Sequence, residues 1–233
     1  MDTNIGAKER VTQNRLIGLF KNVLKYTYLG NWETREGNAN IEEMLLTAYL
    51  LRRGYTDKEI RSAIAKLKQA ANSLGGGLYN ANKEVYTLLR YGVNVQAEVT
   101  EKKKMVHLID WANPMENDFQ IAEEVTIQGE SDRRPDLVVY VNGIALVVIE
   151  LKRSTVSAHE GIRQNIRNQQ DGYIPRFFTT IQLLFAGNDT EGLHYGVIKT
   201  PEKFWLRWKE PCGEPCKPSR FTAEEYARFL ALF

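Results

Sequence analysis

As far as Tyr91, apolar residues recur at intervals of three and four, the spacing of one helix face. Leu16, Phe20, Val23 and Leu24 mark one stripe, and Ile41, Leu45 and Ala48 a second. Thr56-Asp57-Lys58-Glu59 has the form of a capping box, in which each end residue's side chain accepts from the other's backbone N–H. It opens a helix with Ile60, Ile64 and Leu67 on one side. Gly75-Gly76-Gly77 breaks that helix, and a short one is expected around Lys83–Arg90. After Val93 the pattern shortens. Val106–Asp110, Phe119–Ile127, Asp136–Val141, Ile144–Leu151 and Ile181–Ala186 are rich in Val, Ile and Phe and read as strands. One helix, about Ala158–Gln170, interrupts them. Helices followed by a mostly antiparallel sheet with a helix crossing over it predict an α/β fold of the mixed kind.

No repeat, low-complexity stretch or linker divides the chain, so one domain is expected over residues 1–210, helical to 92 and sheet-based from 93. Residues 211–233 read as a connecting segment and a last helix. Thr222-Ala223-Glu224-Glu225 resembles another capping box, followed by Tyr226, Phe229, Leu230 and Phe233 on one side. That apolar stripe runs to the final residue, so either it docks on the domain or the natural protein continues beyond Phe233, and continuation is the expectation.

Composition narrows the class. The 233 residues are 43% hydrophobic, enough for a core. The longest apolar run, Ile144–Ile149, falls far short of the roughly 18 residues that span a membrane. Asp2, Lys8, Glu9 and Arg10, with no apolar stretch behind them, do not read as a signal peptide, and none is expected. A net charge of +2, from 31 basic and 29 acidic residues, does not announce a nucleic-acid binder but allows a local basic cleft. Cys212 and Cys216 make no disulfide framework, and a zinc site would need two more ligands. Two reduced thiols are the simpler reading, and the expected compartment is the cytoplasm.

Chemistry concentrates between Arg134 and Lys152. Two hydrophobic strands flank Asn142-Gly143, a strong hairpin signal. A sheet core explains the valines and isoleucines but not Asp136, Glu150 and Lys152. Charges on a buried strand cost several kcal/mol by order of magnitude unless they are paired or hold a metal. Glu150 and Lys152, two apart, leave the same face of their strand. Two carboxylates can hold Mg²⁺, and a lysine can orient the attacking water in phosphodiester hydrolysis. Glu-x-Lys alone is weak, since a solvated strand end looks the same.

Pro135-Asp136 with Glu150-Leu151-Lys152 resembles the PD-(D/E)xK nuclease motif. The surrounding sequence is more specific. Asn40-Ile41-Glu42-Glu43 with Arg53-Gly54-Tyr55, Leu88-Leu89-Arg90-Tyr91-Gly92, Ile109-Asp110-Trp111, Phe119–Thr126, Gly161-Ile162-Arg163-Gln164-Asn165 and Ala186-Gly187-Asn188-Asp189 resemble the N-terminal nuclease region of the type I restriction enzyme R (motor) subunit, to about Glu210. The resemblance implies a restriction-endonuclease-like mixed sheet flanked by helices, with a helical N-terminal part. It implies Asp136, Glu150 and Lys152 as catalytic residues, and Mg²⁺ (or Mn²⁺) held by Asp136 and Glu150. It also implies an acid from an early helix, assigned to Glu43 with Glu42 as fallback. The family's Gln-x-x-x-Tyr motif matches less cleanly. Gln164 stands at the expected place but is followed at i+4 by Asn168, whereas Gln169 and Tyr173 form the literal pair. Gln164 is assigned to the site, and Gln169 and Tyr173 to DNA contact. Arg133, Arg134, Arg153, Arg163 and Arg167 flank the motif where phosphates would lie; Lys102-Lys103-Lys104 reads as a solvated loop.

The implied function is Mg²⁺-dependent cleavage of double-stranded DNA. The implied partners are the modification and specificity subunits of the restriction complex, with no membrane. ATP would belong to a motor region absent from this sequence, which has no Gly-x-x-x-x-Gly-Lys-Ser/Thr and no Asp-Glu dipeptide. The rivals are a non-catalytic DNA-binding or assembly module and a stand-alone DNA repair nuclease.

Hairpin parity constrains this reading independently. An unbroken ladder from a two-residue turn at Asn142-Gly143 would pair Asp136 with Ile149, sending Glu150 to the opposite face. A shared metal therefore requires an odd loop or a bulge. The expectation is a three-residue loop, Val141 to Gly143, with Gly143 at positive φ and Asp136 opposite Val148.

Overall fold

The computed structural model describes residues 5–96 and 103–209. Helix α1 (Ile5–Gly18) runs through a π-helical turn (Leu19–Val23) into strand β1 (Thr27–Asn31). Helices α2 (Glu43–Arg52), α3 (Asp57–Asn72) and α4 (Leu78–Tyr91) follow, then the short ribbon of β2 (Val93–Val95) and β3 (Lys104–Val106). The rest of the chain holds β4 (Phe119–Glu123), β5 (Leu137–Val141), β6 (Ile144–Leu151), α5 (Ala158–Asn168), β7 (Leu183–Asn188), β8 (Gly192–Gly196) and β9 (Leu206–Arg207). Seven strands form one sheet in the order β1-β4-β5-β6-β7-β8-β9. The β1–β4 and β6–β7 pairs are parallel and the other pairs antiparallel. Parallel neighbours cannot be joined by a tight turn, and α5 supplies the crossover from β6 to β7.

The strand alternation sorts side chains to two faces. Val138, Val148, Leu184 and Ala186 pack with Ile162 of α5 on one. Ile121, Leu137, Ile149 and Phe185 meet Ile17 of α1 on the other. The helices α2 to α4 bury a third cluster, including Leu46, Leu50, Ile64, Leu67 and Leu89, against Ile144 and Leu146 at the turn end of the β5–β6 hairpin.

The capping box at Thr56 forms as expected, with both reciprocal hydrogen bonds, and Ile60, Ile64 and Leu67 are buried. Elsewhere the elements differ from their sequence pattern. The second helix starts at Glu43, so Ile41 precedes it and bridges to Ile144. Its buried face is Leu46, Tyr49 and Leu50, while Leu45 is half-buried and Ala48 exposed. Helix α4 is longer than expected, filling the space between Gly77 and Gly92. Of Val106–Asp110 only Val106 is strand, as the last residue of β3, and Lys104, expected in a loop, lies in that strand and pairs with Glu59 at 2.9 Å. Strand β1 lies inside the stretch read as helical and joins the sheet beside β4. Cys212, Cys216 and the helix expected after Thr222 lie outside the described residues.

A buried polar network secures the hairpin turn. The Asn142 side chain, fully buried, donates to Leu108 O at 2.9 Å and Asn117 Oδ1 at 2.8 Å, and accepts from Asp118 N at 2.7 Å. Asn117 Nδ2 donates to Asp110 O at 2.9 Å, and Arg53 pairs with the Asp110 carboxylate at 2.7 Å. Asp110 of Ile109-Asp110-Trp111 and Arg53 of Arg53-Gly54-Tyr55 therefore serve the turn.

Candidate active site

The hairpin solves the parity problem differently from the expected loop. Asn142 (φ 54°) and Gly143 (φ 80°) both take left-handed conformations, and Val141 pairs with Ile144 and Tyr140 with Ala145. This is a two-residue turn, not three. Gly143 is required on two counts, since a Cβ there would also lie 2.6 Å from Leu45 Cβ. The next pair is Val139 with Val147, so Leu146 is an extra residue in β6. That bulge shifts the ladder by one. Val138 then faces Val148 and Leu137 faces Ile149. Continuing the same register sets Asp136 directly opposite Glu150, on one face. The sheet's own twist favours the two-residue turn, and the interruption sits three residues past Gly143, in β6.

Glu150 is fully buried beneath α5, with the Gly161 Cα hydrogen position against its Cβ; a Cβ at Gly161 would lie 3.5 Å from it. One carboxyl oxygen, Oε2, accepts from Gln164 Nε2 at 2.8 Å, while Oε1 is buried with no hydrogen-bond partner. Burial, then the neighbouring Asp136, push the Glu150 carboxyl well above the usual range, against the pull of Lys152. Asp136 Oδ2 accepts from Leu151 N–H at 2.5 Å. Burial raises the Asp136 carboxyl from 3.8 to about 6, despite opposing effects of Lys152 and the Leu151 N–H. Two acids crowded in a desolvated site resist ionisation, and a cation between them would offset the charge. Lys152 is half-buried, its Nζ donating to Leu151 O at 2.9 Å.

A third acid approaches from α1. Glu9 adds negative charge that raises both Asp136 and Glu150. The helix is held there by polar contacts to the end of β4. Arg10 pairs with the buried Glu123 at 2.9 Å, Gln13 Nε2 donates to Glu123 at 2.9 Å and to Glu124 at 3.1 Å, and the Tyr28 hydroxyl donates to Glu123 at 2.6 Å. Burial and the Glu123 carboxylate push the Tyr28 phenol up to about 12. Further along α1, Thr12 and Arg15 both reach Asp189. Sequence reasoning missed Glu9, Glu123 and Glu124; the one available signal was a charged helical period before Leu16.

Asp136, Glu150, Lys152 and Gln164 are thus brought together. Glu43 is not: it is exposed and pairs with Lys68 at 2.6 Å. Glu42 pairs with Arg35 at 2.6 Å, and its N–H donates to Gly143 O. Both lie at the turn end of the hairpin, roughly 20 Å from Glu150 at about 3.3 Å per strand residue. Gln169 has a structural task, its amide donating to Asn165 O at 3.0 Å and accepting from Lys199 N at 2.8 Å. The Tyr173 ring lies under Arg133, 4.3 Å from the guanidinium. Arg134 is tied to Glu33 and Glu124, and Arg163 to Glu160 and Glu202. Arg153, half-buried, and Arg167, exposed, have no carboxylate partner among the described residues.

Among the described residues no group of three or more His, Cys, Asp or Glu side chains is placed to hold a metal ion. Asp136 and Glu150 offer a carboxylate pair instead. A small hard cation that keeps several waters needs no more than one or two carboxylates from the protein, and the unpartnered Glu150 Oε1 is the kind of atom it satisfies. The residues fit such an ion.

A mixed sheet carrying this acidic pair and lysine at the end of a hairpin, with a helix packed on either face, defines a restriction-endonuclease-like α/β protein. Residues 6–203 match the family described as type I restriction enzyme R protein N terminus, and the chain belongs to that family. Relatives include the type I restriction enzyme HindI endonuclease subunit of Haemophilus influenzae, 33% identical over 112 residues, which are 41% of this chain and 11% of that protein. The type I restriction enzyme SsaAORF53P endonuclease subunit of Staphylococcus saprophyticus is 26% identical over 133 residues, 57% of this chain and 13% of that protein. The matched region thus spans about an eighth of these relatives' length. No helix among the described residues is long and apolar enough to cross a membrane.

Proposed function

We propose that this chain is the Mg²⁺-dependent endonuclease module of a type I restriction enzyme R subunit, hydrolysing phosphodiester bonds of double-stranded DNA through a PD-(D/E)xK site. The observation that carries the reading is the buried Glu150, with one oxygen unpartnered, opposite Asp136 and two residues from Lys152. Asp136 and Glu150 would hold Mg²⁺ or Mn²⁺, with Glu9 at their side in the place first given to Glu43. The ion, when bound, supplies charge stabilisation at the phosphate and lowers the pKa of a coordinated water.

The chain's own residues do the rest. Gln164 fixes the Glu150 carboxylate through Oε2, leaving Oε1 free to ligate. The Leu151 N–H fixes Asp136 in the same way. Lys152, anchored on Leu151 O, orients the attacking water and offsets the charge gathering on the phosphate. Arg153 and Arg167, with no carboxylate to satisfy, are the first candidates for DNA phosphates; Arg133, Arg134 and Arg163 would have to exchange existing partners. In the full-length protein, cleavage would be coupled to an ATP-driven motor and to the modification and specificity subunits.

The test has two parts. Mn²⁺ binding, followed by electron paramagnetic resonance, should be present in the chain and reduced at least tenfold by Glu150→Gln. In the assembled enzyme, Asp136→Ala should abolish DNA cleavage while ATP hydrolysis continues. Wild-type cutting by that assembly would end the catalytic assignment.

A further inference from the structure

Helix α4 turns a row of four side chains to solvent. Tyr79, Lys83, Tyr86 and Arg90 stand at i, i+4, i+7 and i+11, one stripe about 16 Å long at about 1.5 Å per residue. All four are exposed, Tyr79 at 60% and Tyr86 at 43%, and no acid shares the stripe. Neither Lys83 nor Arg90 has a carboxylate partner among the described residues. The helix dipole accounts for a cation in the last turn, which covers Arg90 but not Lys83. A single exposed tyrosine is ordinary surface. Two of them alternating with two unpaired cations have no task in the fold.

The stripe ends at a pocket of about 300 Å³, at the lower end of the range that holds small ligands. Tyr49, Arg53, Tyr55, Arg90, His107 and Trp111 line it. Arg90 belongs to both stripe and pocket, its guanidinium 5.4 Å from the Trp111 ring. That ring is half-buried and fixed in place, Nε1 donating to Leu89 O at 2.8 Å. His107 N–H donates to the Tyr55 hydroxyl at 3.0 Å, which leaves the hydroxyl proton to donate elsewhere. The carboxylate in the lining, Asp110, already accepts from Arg53 at 2.7 Å and from the N–H groups of Ala112 and Asn113. The pocket thus offers flat rings and spare positive charge. Through Asp110 it adjoins the asparagine network of the hairpin turn, at the end of the strands away from Asp136 and Glu150.

Rings interleaved with unpaired cations suit a chain of bases joined by phosphates. Each base has a face to lay on a ring, and each linkage a charge to be met. In a duplex those faces are covered by neighbouring bases, and an acidic peptide would leave the rings idle. We propose that the α4 stripe and the pocket at its end bind single-stranded nucleic acid. One base lies on Trp111 with its phosphate at Arg90, and the strand runs back along α4 over Tyr86 and Lys83 to Tyr79. The site uses none of Asp136, Glu150 and Lys152, so it stands or falls apart from the nuclease reading.

Fluorescence anisotropy in EDTA, with a fluorescein-labelled oligodeoxythymidylate of about twelve nucleotides, tests this. The chain should bind the probe, and Tyr79→Ser/Tyr86→Ser should weaken binding at least about tenfold. Tyr79→Phe/Tyr86→Phe, which keeps the rings, should stay within about twofold of the parent. Lys83→Gln/Arg90→Gln should flatten the slope of log affinity against log salt by about 1.4, at about 0.7 for each phosphate contact of a single strand. All four positions are exposed, so folding is not at stake. Absence of binding, or binding unchanged by the serine variant, overturns the proposal. Binding lost in Arg153→Ala/Arg167→Ala but kept in both stripe variants would place the strand at the acidic end and also overturn it. So would displacement of the probe by deoxythymidine monophosphate at equal nucleotide concentration, which would assign the pocket to a free nucleotide.

Discussion

Replacing Asp136 by Asn removes one charge from the crowded acidic site while keeping an acceptor for the Leu151 N–H. With the folded-state carboxyl raised from 3.8 to about 6, the aspartate binds its proton more tightly in the folded than in the unfolded chain. Below about pH 4 both states are protonated and the site costs nothing. As pH rises through the window from about 4 to about 6 the folded state must give up a proton it prefers to keep, and stability falls. A rise of roughly 2 in pKa corresponds to about 3 kcal/mol, so the variant should be more stable than wild type by up to about that amount above pH 6 and equal to it near pH 4. Loss of the like charge also eases Glu150, which acts in the same direction. The carboxylates of Glu59 and Glu202, held low by their hydrogen bonds and cationic partners, respond oppositely to pH but cancel in the difference. Urea unfolding in EDTA from pH 4 to 8 measures that difference. Millimolar Mg²⁺ at pH 8 should then stabilise the wild type and leave the variant unmoved. A wild-type-minus-variant difference that stays flat across the series would refute the reasoning, because the acids would then not be desolvated against one another.

Three other outcomes follow from the same geometry. Lys152→Ala should slow DNA cleavage by the assembled enzyme at least a hundredfold with affinity changed less than about twofold; a loss of binding with a shallower salt dependence would make Lys152 a phosphate anchor instead. Glu123→Ala should strand Arg10, Gln13 and Tyr28 and cost about 2–3 kcal/mol in urea unfolding, and a change under about 0.5 kcal/mol would mean α1 is held some other way. Deleting Leu146 should remove the bulge, turn Glu150 to the opposite face and abolish Mn²⁺ binding; retained binding would show that the ladder repairs itself elsewhere.

The sequence conveyed the residues at the centre of the site better than their supports. Glu150 and Lys152 stand out as charges in an apolar strand, and parity alone demanded a break in the hairpin. It could not say where: Leu146 is one apolar residue among six, and nothing local distinguishes the extra one. Gln164 was legible only through the resemblance, which implies a glutamine in the helix after Lys152, and the structure brings it to Glu150. The acid from an early helix was placed on α2 because Glu43 sits within matching text, whereas Glu9 reaches the site only through tertiary contacts of Arg10 and Gln13 that no local period records. Strand β1 escaped for a similar reason, since Thr-Tyr-Leu-Gly-Asn alternates weakly and its pairing with β4 is parallel and distant in sequence.

The asparagine network around the hairpin turn has a consequence at the opposite end of the strands. A β-ribbon's cheapest error is a slip by one residue, which preserves most backbone bonds and many apolar contacts while exchanging faces. In this hairpin such a slip would leave a compact, well-paired sheet whose two acids could never meet. Asn142, anchored to Leu108, Asn117 and Asp118, holds the turn to its two-residue form, so the phase of the ladder at Asp136 rests on the one extra residue at Leu146. Turn network and bulge together thus fix the phase on which the proposed pairing of Asp136 with Glu150 depends, at a distance from either carboxylate.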